Sequence, residues 1–149
     1  MSPLTVLMLL GIPILLVAAS IKRIPEGQAY TLRRVDGHLR TLGAGTHLVL
    51  PLIERVAHKI RLFGNVVEIA ELPDSERRSL QGKIFYQVLD ATRAEGIIDD
   101  VGMHLRKRLP ELLAAAPMQE PAARNLHLKA ELNRGLRERG LLVTRVQLA

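Results

Sequence analysis

From Pro3 to Ile21 the chain carries no formal charge and is built almost wholly of Leu, Ile, Val, Ala and Met, interrupted only by Thr5, Gly11, Pro13 and Ser20. A helix of this composition has no polar face, which excludes an ordinary surface helix of a globular domain. At about 1.5 Å per residue the run reaches roughly 28 Å, close to the roughly 30 Å of a hydrocarbon core, and so predicts a transmembrane anchor over residues 1–23. Gly11 and Pro13 allow a kink in it. Lys22 and Arg23 follow directly, with no side-chain cation before the run. By the positive-inside rule this predicts a cytoplasmic C-terminal side, with these two residues at lipid headgroups. A cleaved signal peptide is the competing reading, with Val17-Ala18-Ala19-Ser20 as its small-residue site, but the basic segment that opens such peptides is missing.

Residues 24–149 have room for one compact domain. After a turn at Ile24-Pro25-Glu26-Gly27, the pattern predicts a strand over Gln28 to Val35, a hairpin at Asp36-Gly37, and strands over His38 to Leu42 and Thr46 to Leu50, the last stopped by Pro51. Ile53 to Leu62 and Val66 to Leu72 continue the β pattern up to a turn at Leu72-Pro73-Asp74-Ser75. Between Leu80 and Val88, alternation puts Leu80, Gly82, Ile84, Tyr86 and Val88 on one face. The character then changes. Asp90 is placed to cap a helix through Ile97, and Asp99 or Asp100 one through Leu113, which Pro110 bends or breaks. A last helix opens near Pro121, spaces Leu128, Leu132 and Leu136 by four, and stops at Gly140, before a strand over Leu141 to Leu148. Strands first, then helices, then a returning strand predict an α+β fold, an antiparallel β-sheet with helices packed on one side.

The residues Pro25-Glu26-Gly27 resemble the opening of the SPFH (stomatin/prohibitin/flotillin, or band-7) domain. The run Gly43-Ala44-Gly45-Thr46-His47-Leu48-Val49-Leu50-Pro51-Leu52-Ile53-Glu54-Arg55-Val56 is similar to that family's most specific signature. Ile84 to Asp90 and Gly140 to Val146 look like its later strands, in family order, so the resemblance covers about Ile21 to Ala149. It implies structural roles for Pro25, Glu26, Gly27, Gly45, His47, Pro51, Arg55, Asp90 and Gly140. It also implies a membrane-anchored oligomeric scaffold, as in a bacterial inner membrane, that organises lipids or membrane proteins and restrains a membrane-anchored AAA protease. Three features depart from the pattern: Ala44 stands where the family has Pro, Asp74 to Ser79 lacks its Thr-x-Asp-x-Val stretch, and the long C-terminal coiled coil is missing. The expected partners are therefore membrane lipids and either further copies of this chain or longer SPFH proteins.

Little points to chemistry. The five histidines, His38, His47, His58, His104 and His127, include no pair at i, i+3 or i, i+4, so metal ligands on one helical face are not indicated. A metal-dependent hydrolase would have to bring His47 and His58 together across a sheet. Gly43-Ala44-Gly45 and Gly82-Lys83-Ile84 match no phosphate-binding pattern, and Ser75 and Ser79 lack a nucleophile-elbow setting. No cofactor and no enzymatic activity are expected. With a net charge of +6 and a pI near 10.3 the chain favours anionic partners. Arg33-Arg34, Arg77-Arg78 and Arg106-Lys107-Arg108 are the basic features, and the last is the site for an anionic-lipid or nucleic-acid binder. Aromatics at 3% and no Trp leave little for base stacking, so nucleic acid is not an expected partner.

Overall fold

The computed structural model describes residues 3–73, 79–115 and 120–149. It divides into two compact units, Met1–Lys59 and Ile60–Ala149. The predicted turn through Asp74 and Ser75 and the basic pair Arg77-Arg78 lie outside the described residues.

The first unit opens with helix α1, Pro3–Ser20, 18 residues long and continuous through Pro13. The expectation of a transmembrane anchor is corrected here: among the described residues no helix is long and apolar enough to cross a membrane. At about 1.5 Å per residue α1 spans roughly 27 Å, short of the roughly 30 Å core. At its end Ser20 is 4% exposed, with its Oγ donating to the Leu16 carbonyl at 2.6 Å. Ile21, which was to complete the span, instead begins strand β1, Ile21–Ile24. The assignments that rested on the span, a single-pass membrane protein with its domain in the cytoplasm, fall with it.

Strand β1 went unpredicted because it is short and merges into the apolar run. It pairs antiparallel with β4, Gly45–Leu48, setting Lys22 opposite His47 and Ile24 opposite Gly45. Between them, β2 (Gln28–Arg34) and β3 (Leu39–Leu42) form the expected Asp36-Gly37 hairpin. Gly37 adopts φ 86°, and the Asp36 carboxylate accepts from the His38 amide at 3.0 Å. Strand β5, Glu54–Arg61, lies on the other side of β2. Ile24, Leu32, Leu42 and Val49 form a small core, flanked by Tyr30 and Val56.

The second unit is one antiparallel sheet in the order β6-β7-β8, made of Asn65–Pro73, Ser79–Val88 and Leu141–Leu148. Each flanking strand has a bulge. On β6 Ala70 and Glu71 face Gln81 alone, and on β8 Thr144 is the extra residue between the pairs Phe85–Arg145 and Tyr86–Val143. Both bulges leave two successive residues exposed and shift the buried parity, so that Val67 and Ile69 are followed by Leu72, and Leu141 and Val143 by Val146 and Leu148. Helices α3 (Val101–Ala115) and α4 (Pro121–Leu136) pack against the sheet, α3 on β6 and α4 on β8. Their buried stripes, Val101-Leu105-Leu109-Leu113 and Leu128-Leu132-Leu136, are spaced by four, as one face of a helix requires.

Two helical expectations change in detail. The helix capped by Asp90, α2, covers only Ala91–Ala94, and turns carry the chain past Gly96, which is costly in a helix, to Asp100. Pro110 lies inside α3 without ending it. The α+β character and antiparallel pairing stand as expected, with the strands distributed over three sheets.

Candidate interaction surfaces

In the first unit the motif residues are mostly backbone devices. The Gln28 amide donates to the Pro25 carbonyl at 3.3 Å, closing a turn in which Glu26 precedes Gly27 at φ 78°. Gly45 adopts φ 129°, a conformation that favours glycine, and the His47 Nε2 lies 2.9 Å from the Gly43 carbonyl. That contact accounts for His47 as a loop fastener. His47 and His58 stand on strands of different sheets, β4 and β5. Among the described residues no group of three His, Cys, Asp or Glu is placed to hold a metal. Pro51 opens a turn in which the Ile53 and Glu54 amides both donate to the Leu50 carbonyl, at 3.0 and 2.8 Å. Lys22, Arg23 and Arg55 are exposed.

Beside Arg55, sequence reasoning missed a buried acid. The Glu54 side chain is 3% exposed and its Oε1 lies 3.3 Å from Arg34 and 3.7 Å from Arg40, reaching across β2 to β3. Two half-exposed guanidiniums on one buried carboxylate leave a surplus positive charge at this end of the sheet. The pairing joins residues 20 positions apart, and no local pattern announces it.

The largest apolar surface is α1. Met8, Leu10, Ile12, Ile14, Leu15, Leu16 and Val17 are all exposed, Leu15 at 74%. Consecutive residues from Ile14 to Val17 point to every side of a helix, so the uncovered surface surrounds it rather than forming a stripe. Contiguous apolar exposure on this scale marks an association surface.

In the second unit, Asp90 and Gly140, 50 positions apart in number, meet. The Leu89 and Asp90 amides both donate to the Gly140 carbonyl, at 2.8 and 3.1 Å, while Asp90 Oδ1 caps α2 by accepting from the Thr92 and Arg93 amides. Gly140 sits at φ 73°, and any Cβ there would run into the Asp90 carbonyl. A cleft of about 450 Å³ between α3 and α4 is lined by His104, Arg108, Glu111, Leu132, Gly135 and Arg139, among others. Arg139 Nη1 donates to His104 Nε2 at 3.1 Å. The cleft mixes Lys107, Arg108 and Arg139 with Glu111 and Glu138, and so does not single out an anionic ligand.

The cluster Arg106-Lys107-Arg108 is exposed on α3, but Arg106 is engaged: its Nη2 donates to the Glu68 carbonyl on β6 at 3.1 Å. On the sheet face away from the helices, Glu68 pairs with Lys83 at 2.9 Å, and that hydrogen bond and charge hold the Glu68 carboxyl below its ordinary value. Burial pushes the Tyr86 phenol above its own. No protein family of known profile matches the chain.

Proposed function

We infer that this chain is a self-associating scaffold domain that joins copies of itself, or longer SPFH-type partners, and so holds neighbouring proteins together. The observation that carries this reading is the uncovered apolar surface of α1. Fully burying one Leu, Ile or Val stabilises by about 1.5–3 kcal/mol, and association costs about 4–15 kcal/mol. Covering these six Leu, Ile and Val side chains and Met8 therefore offers a gain of the same order as that cost. An apolar surface on every side needs more than one partner helix, which favours assemblies larger than a dimer. The ordered motifs that resemble the SPFH domain support the same reading.

Light scattering and sedimentation of the full chain in aqueous buffer test it. The wild type should run as an oligomer whose size rises with concentration, and Leu15→Glu with Val17→Lys should shift it towards monomer with unchanged circular dichroism in the β region. A wild type that is monomeric throughout, or that binds lipid vesicles only as a monomer, would sink the reading.

A further inference from the structure

The two edges of the β6-β7-β8 sheet are treated differently. Gln81 and Ala149 exchange both backbone hydrogen bonds, at 3.0 and 2.9 Å, which fixes the direction of every peptide in β7: odd-numbered residues face β8 and even-numbered ones face β6. Before its bulge β8 therefore turns the backbone groups of Val143 outward, and after it those of Val146 and Leu148. Those at the two ends are met by α4: the Asn133 side chain donates to the Val143 carbonyl at 3.0 Å and accepts from its amide at 2.7 Å, and Arg124 and Asn125 donate to the Leu148 carbonyl. This is how a sheet edge is closed to further pairing.

By the same parity, β6 turns the backbone groups of Val66 and Glu68 outward. Among the described residues one contact reaches them, Arg106 to the Glu68 carbonyl. Val66 is 42% exposed. The regular part of β6 is short and self-centred: it runs from Asn65 to Ile69, bounded by Gly64 at φ 72° and by the bulge at Ala70 and Glu71, and its midpoint is Val67.

The geometry points to β6 as the strand through which a second copy of this chain adds to the sheet, antiparallel, about a two-fold axis at Val67. This rests on the self-association proposed above and assigns a contact to it. Full overlap of two Asn65–Ile69 segments is reached only in this register. Val66 of each copy then faces Glu68 of the other, and both outward-facing residues exchange both backbone bonds, as alternate residues in an antiparallel ladder do. Charge selects the same register. Shifting the axis to Glu68 would set two carboxylates directly opposite, which is destabilising, whereas the proposed one sets each opposite a valine. The result is one six-stranded sheet with the closed β8 edges outermost. Arg106 is the guard, because its hydrogen bond to the Glu68 carbonyl competes with the incoming amide.

The natural chain has no cysteine, so crosslinking is free of background. Two differently tagged full-length chains, one Val66→Cys and the other Glu68→Cys, are co-expressed and mildly oxidised. Paired residues of this kind have Cα atoms about 5.5 Å apart, within disulfide reach. The mixed disulfide should dominate over either homodimer. In parallel, Arg106→Ala should tighten self-association about threefold to tenfold by freeing one acceptor. Val66→Pro, which removes an outward amide without touching the β7 ladder, should weaken it about tenfold. Homodimers in excess, or no disulfide from a wild type that is nonetheless oligomeric, would overturn the β6 contact and leave the scaffold reading standing. A monomeric wild type would remove both.

Discussion

The two units differ in how much of their stability they hold within themselves. Residues 60–149 cover one sheet face with two helices whose buried leucines repeat every fourth position, and close the β8 edge with side chains from α4. Residues 1–59 have a four-residue core, a carboxylate buried between two arginines, and a helix whose apolar surface is uncovered. Residues 60–149 are stabilised mainly by burial within their own fold. Residues 1–59 bury less of their apolar surface internally and have more of it available for association.

The comparison can be broken most directly in the better-packed unit. Leu109→Ala or Leu128→Ala, each at a fully buried position, should cost about 3 kcal/mol in urea unfolding. The two tyrosines provide separate reporters, Tyr30 in the first unit and Tyr86 in the second. Tyr86→Phe and Tyr30→Phe variants should show the first unit losing its signal at the lower urea concentration, and coincident transitions would contradict the contrast drawn here. Next in size, Gly140→Ala should cost about 2 kcal/mol, since it forces a side chain into a left-handed conformation against the Asp90 carbonyl. Glu54→Gln should cost the first unit about 1–2 kcal/mol, less than a fully buried pair would lose because Arg34 and Arg40 are half in water.

The smallest effect is in pH. The Tyr86 phenol is raised by burial above its ordinary 10.0, so the folded state keeps a proton that the unfolded chain gives up, and stability should fall as pH rises past about 10. Tyr86→Phe should flatten that slope. At the acid end Glu68 has the opposite sign. Its carboxyl is held below 4.5 by Lys83, so its contribution is present above that value and fades as pH falls, a trend Lys83→Met should remove.

Much of the fold was legible because its determinants are local. Pro25 to Gly27, Asp36-Gly37, Asp90, Pro121 and Gly140 punctuate the chain through their own backbone preferences, and the leucines of α4 advertise their helix by spacing alone. The apolar run announced α1 but not its end, because Ile21 suits a strand as well as a helix, and its pairing with Leu48 lies 27 positions away in number. Helix α2 ends well before Ile97 because the Asp90 cap fixes where a helix starts and not where it stops, and Gly96 is costly inside one. Of the candidate surfaces only the apolar run of α1 was legible in the same way; Glu54 between Arg34 and Arg40, Arg106 on Glu68, and Asn133 on Val143 all join residues distant in sequence.

The sequence by itself determined most of the strands and helices, though not β1 or the extent of α2, the main turns, and that the first eighteen or so residues have no polar face, since each depends on residues within about one turn or one strand of each other. The tertiary structure alone decided that α1 ends short of a membrane span, that bulges at Ala70 and Thr144 reset two strands, and that one sheet edge is sealed while the other is guarded by a single arginine. Those outcomes follow from hydrogen bonds and burial between segments far apart in the chain, where local propensity has no influence and the free energy of pairing sets the result.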